Sequence, residues 1–169
     1  MTIPTPAAAP EGTASKASSQ QVLTFSLGAE TYGVEILRVQ EIRGFSPVTR
    51  IPQSPPHVLG VLNLRGSVVP VIDLRMRFSL AEVAYTALTV IIVLSVEGGS
   101  GRRNFGLVVD GVSDVMDLAP DAVRPTPEFG SQVNTDFIRG LATLGDSMVM
   151  LLDIDRLIGD DLRDVSAAA

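Results

Sequence analysis

From Gln21 onward, apolar and polar side chains alternate in short runs. Leu23, Phe25 and Leu27 alternate with Thr24 and Ser26, and Tyr32, Val34 and Ile36 resume the pattern after Gly28, Ala29 and Glu30. A period of two puts one set of side chains on one sheet face, so the two runs predict a β-hairpin. Ile36, Val39 and Ile42 recur every three residues and predict a short helical turn over 37–40. Three prolines make 51–56 a loop. Apolar runs over 58–64 and 68–74 then flank Arg65, Gly66 and Ser67. Pro70 lacks a backbone N–H, which predicts an edge or bulge position for the second run.

The β-branched run over 88–96 predicts another strand, and the glycines and basic residues of 98–104 predict a turn. Strands are expected over 105–109 and 112–118, with a proline-rich loop over 120–127. Residues 138–144, a Gly145-Asp146 turn and residues 148–152 form a last hairpin. Asp153 is placed to cap a short helix carrying Ile154, Leu157 and Ile158. Residues 1–20, rich in Ala, Pro, Ser and Thr, lack the apolar area that would offset the entropy of ordering, so they read as a disordered tail. The last residues, 163–169, are expected to fray.

The chain also repeats itself. Tyr32-Gly33-Val34-Glu35-Ile36 matches Phe105-Gly106-Leu107-Val108-Val109, and Val39, Glu41 and Ile42 match Val112, Asp114 and Val115, all at a shift of 73 (32 onto 105). Gly60, Leu64, Ser67, Val69 and Asp73 match Gly140, Leu144, Ser147, Val149 and Asp153 at a shift of 80 (60 onto 140). The longer loop around 127–134 absorbs the difference. Two similar β units follow in tandem within 21–162, each of about five short strands. Small units of this kind close into barrels to remove exposed edges, and too little core in each predicts an apolar interface between them with a groove at the junction.

Composition removes several classes of function. Aromatic residues make up 5% of the chain and Trp is absent, so the core is built from Val, Ile and Leu. A net charge of -6 disfavours a phosphate-tracking surface, although Arg75 with Arg77, or Arg102 with Arg103, would allow a local basic patch. The absence of cysteine removes disulfides, thiol nucleophiles and thiolate zinc sites. No N-terminal stretch has the make-up of a secretory signal, and no apolar run approaches the ~20 residues that span a bilayer. His57, the single histidine, follows Pro55 and Pro56 and reads as a loop residue. No nucleophile elbow or phosphate loop occurs; Gly98-Gly99-Ser100-Gly101 lacks the required spacing. Asp153, Asp155, Asp160 and Asp161 read as helix-start and solvated charges rather than a cation site. The sequence therefore points to no enzyme, no metal and no cofactor.

Val39-Gln40-Glu41-Ile42-Arg43-Gly44 is followed by Thr49-Arg50-Ile51-Pro52, Gly60-Val61-Leu62-Asn63-Leu64-Arg65-Gly66 and Val69-Pro70-Val71-Ile72-Asp73-Leu74-Arg75. This order and spacing resembles the chemotaxis coupling protein family, CheW. The stretch from Gly106 to Val115, Arg124-Pro125-Thr126-Pro127-Glu128-Phe129 and Gly140-Leu141 agree with it, so the resemblance covers about residues 20–160. It implies an all-β fold of two SH3-like five-stranded barrels with short helices. It implies a non-catalytic cytoplasmic adaptor that reaches the membrane only through receptors, and the acidic charge balance argues that it binds no nucleic acid. Its partners would be the cytoplasmic hairpin tip of methyl-accepting chemoreceptors and the regulatory domain of the histidine kinase CheA, which has the same fold. In that family the ternary complex controls autophosphorylation and builds receptor arrays.

Candidate site residues follow from the two lines together. Arg65 lies at a hairpin tip where the second repeat has Gly145, so the repeat alone does not demand an arginine. It reads either as an exposed turn residue or, as the resemblance suggests, as the partner of Glu41 on a groove wall. Val39, Val68 and Val90 are candidates for the receptor-facing surface, with plain core as the other reading. Val112, Asp114 and Met116 are candidates for the kinase contact.

Overall fold

The computed structural model describes residues 20–78, 84–98, 101–126, 137–144 and 146–158. The tail over 1–19 and the segment 163–169 lie outside them, whereas Gln20 already belongs to the first strand. Strands run in the order β1 (Gln20–Leu27), β2 (Glu30–Glu35), β3 (Val39–Gly44), β4 (Val58–Leu64) and β5 (Ser67–Asp73). A one-turn helix α1 (Leu74–Arg77) follows, then β6 (Val90–Gly98), β7 (Gly101–Val109), β8 (Gly111–Leu118), β9 (Val123–Arg124), β10 (Ile138–Leu144) and β11 (Ser147–Leu152). The helical turn expected over 37–40 is a 3-10 turn at Ile36–Arg38. Residues 154–158 are helical, and Asp153 Oδ1 caps them by accepting the Arg156 N–H.

One sheet has the order β8-β1-β2-β11-β10-β9 and the other β3-β6-β7-β5-β4. Each repeat therefore does not form its own unit. The hairpin β1–β2 of the first repeat joins β8, β10 and β11 of the second. The hairpin β6–β7 of the second joins β3, β4 and β5 of the first. The junction in each sheet is a parallel pair, β11 on β2 and β5 on β7, with Leu151 opposite Gly33 and Val71 opposite Gly106. Those positions are related by the two shifts of the repeat. Sequence similarity reveals the repeat but not which copy a strand pairs with, because a hairpin donated to either sheet has the same pattern of side chains.

The irregularities repeat as well. The ladders break between Val39 and Glu41 and opposite Asp114 and Val112, and again between Val58 and Gly60 and between Ile138 and Gly140. Gly60 has φ +148 and lies so close to the preceding loop that a Cβ would sit 2.0 Å from the Thr49 carbonyl oxygen. That closeness lets Thr49 pair with Val61 through bonds of 2.9 and 2.8 Å, so chain leaving β3 on one edge returns to β4 on the other. In the first sheet β9, which follows edge strand β8, pairs with β10 in the same manner. Both sheets thus curl until their edges share a segment of chain, which limits exposed ladder groups.

Curling makes three cores. Val22, Leu118, Ala142, Val149 and Leu151 fill the first sheet, and Leu59, Val71, Ile91, Val93 and Val108 fill the second. Between the sheets lies the largest cluster, built from Leu23, Phe25, Leu27, Ile92, Leu94, Phe105, Leu107, Leu152, Ile154 and their neighbours. The central strands are consequently buried on both faces. At about 25 cal/mol per Å² of apolar area, this shared layer is a major source of stability.

Two expectations are corrected. Pro70 lies in β5, an interior strand rather than an edge. The two-residue turn makes Leu64–Ser67 a hydrogen-bonded pair, alternation makes Val61–Pro70 a non-bonded one, and the β7 ladder begins only at Val71, so no donor is needed at Pro70. Arg102, Arg103 and Asn104 are not turn residues but extend β7 opposite Glu97, Val96 and Ser95.

Candidate functional site

The turn after β4 consists of Arg65 and Gly66, with φ of 51° and 88°. Two successive positive φ values define the turn type that matches strand twist, and its first position favours Asn, Asp or Gly. An arginine there costs roughly 1–2 kcal/mol, and the Asn63 side chain steadies the turn by accepting the Gly66 N–H at 2.9 Å. The arginine side chain, 78% exposed, buries almost nothing in return. It reaches across to half-buried Glu41 on β3 and donates to its carboxylate, which also faces Arg43 at 3.5 Å. β3 and β4 are the two outer strands of their sheet, so this ion pair ties its edges together. Its exposure limits its direct contribution to about 0–1 kcal/mol.

Val68 follows the turn and is 67% exposed, and Ile42, next to Glu41, is 43% exposed. Val39 and Val90 differ from them. Both are half-buried against the central core, at opposite ends of the β3–β6 ladder, about 13 Å apart along the strand. The structure therefore brings Glu41 and Arg65 together with Val68 nearby on the same hairpin, and it separates Val39 from Val90. On β8, Val112 and Met116 turn into the central and first-sheet cores, while Asp114 is exposed and the Thr24 hydroxyl donates to its backbone carbonyl at 3.0 Å. The apolar side chain that β8 does present is Val115, 42% exposed. Val115 and exposed Met148 are the repeat counterparts of Ile42 and Val68.

A polar network behind α1 was not visible in the sequence. Arg75 is wholly buried, so it belongs to no surface basic patch. Its guanidinium donates to both Asp73 oxygens at 2.9 Å, to Asp110 at 3.0 Å and to the Ala84 carbonyl at 2.5 Å. The Tyr85 ring lies 4.8 Å from it, and the Tyr85 hydroxyl donates to Asp73 at 3.2 Å. Burial alone would lower the Arg75 pKa, but the bonds to Asp73 and Asp110 outweigh it and hold the group above the ordinary arginine value. The Tyr85 phenol is pushed up by burial and by the Asp73 charge. The sequence did offer one signal, the repeat of Asp73 at Asp153, since both cap helices.

Two curled sheets fused through a common core, with an ion-paired hairpin and exposed aliphatic side chains at the edges, define a protein-docking scaffold. Comparison with known proteins specifies it further. Residues 21–162 match the CheW-like domain. The chain is 48% identical over 142 residues to the chemotaxis protein CheW of Klebsiella aerogenes, covering 84% of this chain and 83% of that one. It is 38% identical to the probable chemotaxis protein CheW of Rhizobium etli, over 83% of this chain and 88% of the relative. The crystal structure of the scaffolding protein TtCheW from Thermoanaerobacter tengcongensis superposes with a TM-score of 0.74 at 31% identity, covering 82% of this chain and 92% of that one. The chain belongs to the CheW family and is a non-catalytic scaffold of chemotaxis signalling. Among the described residues, no helix is long and apolar enough to cross a membrane.

Proposed function

We propose that the protein couples methyl-accepting chemoreceptors to the histidine kinase CheA, holding the receptor tip on the second sheet and the kinase regulatory domain at β8. The observation that carries this reading is Arg65. A non-glycine residue kept in a left-handed turn, with an exposed side chain tied among the described residues to Glu41, is better explained by recognition than by folding. Val68 on the same hairpin and Ile42 on β3 are exposed and supply aliphatic area for the face of an amphipathic receptor helix. Val39 and Val90 then act from behind, setting the wall on which β3 and β6 lie. On β8, Val112 and Met116 position the strand, and Asp114 with Val115 meets the kinase. The protein works at the cytoplasmic side and is carried to the membrane by receptors.

Co-sedimentation with receptor-containing membranes, followed by a CheA phosphorylation assay with and without the protein, tests the reading. Receptor control of the kinase should require the protein. Unchanged control in its absence would contradict it.

A further inference from the structure

Each chain crossing between the sheets is fastened by an arginine–carboxylate pair, and the two pairs have opposite polarity. The chain passes from the first sheet to the second at Ile36–Arg38 and returns at Asp110. At the return, Asp110 is the crossing residue. Its carboxylate accepts from Arg75 of α1 at 3.0 Å and from the Gly28 N–H at 2.7 Å, and its own N–H donates to the Ser26 carbonyl at 3.1 Å. At the outward crossing the arginine is the crossing residue. Arg38 donates to both oxygens of Asp155 at 3.0 and 2.7 Å and to the Ser95 carbonyl at 3.1 Å, while Asp155 accepts the Glu97 N–H at 3.2 Å.

The parts correspond. Asp155 is the repeat counterpart of Arg75 at a shift of 80 (75 onto 155), and Asp110 aligns one residue from Arg38. Glu97 and Ser95 stand to β6–β7 as Gly28 and Ser26 stand to β1–β2. Each pair thus joins a crossing, the short helix after the opposite arm of the fold and the exchanged hairpin. They differ in burial at the arginine: Arg75 is fully buried and covered by Ala84 and Tyr85, while its partner Asp110 keeps 35% of its side chain exposed. Arg38 and Asp155 keep 28% and 36% of their side chains exposed, and they border an open cleft of about 190 Å³ that also exposes Glu35 and Arg139.

We propose that Arg38 and Asp155 are positioning residues that form a releasable latch between the sheets, with Arg75–Asp110 as the fixed pivot. The latch sets the angle between the receptor-facing sheet and the sheet carrying β8. Binding at one sheet is then transmitted to the other through that angle, an inference that rests on the coupling function proposed above. The driving physics is screening: a pair open to solvent at both ends weakens with salt more than one whose arginine is buried and bound to a second, buried carboxylate.

The chain has no cysteine, so Arg103→Cys on β7 and Thr143→Cys on β10 place spin labels on opposite sheets of the full-length protein. The inter-label distance distribution should be narrow. It should widen in Arg38→Asp and in Asp155→Arg, and narrow again in the double variant, which copies the polarity of the other crossing. Raising salt to about 1 M should widen it in the unsubstituted background, which needs no variant to fold. Receptor control of CheA should fall in the single variants and return in the double one. Unchanged widths in the single variants and in high salt, or a double variant as wide as the singles, would overturn the latch. If the unsubstituted protein fails to couple at all, the functional reading fails, while the distance widths still decide the latch.

Discussion

Replacing Arg75 by methionine removes one of the two wholly buried charges among the described residues. The side chain has no exposed surface, and neither has that of Asp73. Methionine fills a similar volume but abandons the bonds to both Asp73 oxygens, to Asp110 and to the Ala84 carbonyl. Among the described residues, the Asp73 carboxylate keeps the residue-75 backbone N–H and the Tyr85 hydroxyl. Breaking a buried pair from one side costs about 3–5 kcal/mol, because the remaining charge lies in a medium that solvates it poorly. At roughly 2–4 °C per kcal/mol for a chain of this size, the melting temperature should fall by roughly 6–20 °C. Asp73→Asn in the same background removes the orphaned charge and keeps an oxygen to cap α1. It should therefore recover most of the loss, leaving a deficit below about 2 kcal/mol. Urea denaturation followed by circular dichroism measures all three proteins. A single variant within about 1 kcal/mol of the unsubstituted protein, or a double variant no better than the single, would refute a charge-based role for this network.

Arg65→Asn should behave in the opposite sense. It suits the left-handed turn and should raise stability by about 1 kcal/mol, yet it should weaken receptor coupling through loss of the Glu41 pair. Lost stability would make Arg65 structural. Gly60→Ala forces a Cβ onto the Thr49 carbonyl, so soluble folded protein should drop sharply in expression and melting assays. Normal melting would show that the loop moves aside freely. The Tyr32 phenol is pushed up by burial and by Glu30, and that of Tyr85 by burial and Asp73. Both groups hold their protons longer when folded, so stability should be intact below about pH 10 and fall as pH rises through the raised folded values. With no Trp present, phenolate absorbance reads the two tyrosines directly, and titration of both at the ordinary tyrosine value would contradict their placement.

Local structure was legible because its causes are local. Alternation at Leu23, Phe25 and Leu27 reports a strand whatever it pairs with, and Asp153 before Ile154 reports a cap. Pairing was not legible, because β2 joins β11 of the other repeat through a parallel ladder that leaves no mark at close sequence spacing. That exchange also explains Pro70. Proline signals a missing donor, but only the register shows that the donor would have faced a stretch where β7 has not yet begun. Among the site residues, Glu41 and Arg65 were found together because the family resemblance names a pair and the repeat shows the arginine to be dispensable for the fold. The valines were harder. Val68 lies in an apolar run and Val39 in a three-residue recurrence, yet it is Val68 that is exposed and Val39 that packs against the shared core. Arg75 looked like surface charge because arginine is seldom fully buried, and its partner Asp110 is distant in sequence.

As proposed, this protein is the link through which receptors govern the kinase. The direct measurement is CheA autophosphorylation on receptor-containing membranes, with attractant added and withheld, in the presence of the unsubstituted protein, of Arg65→Ala and of no adaptor. Attractant-sensitive kinase activity is expected with the unsubstituted protein, reduced sensitivity with a still-folded Arg65→Ala, and none without adaptor. Equal sensitivity in all three would contradict that link.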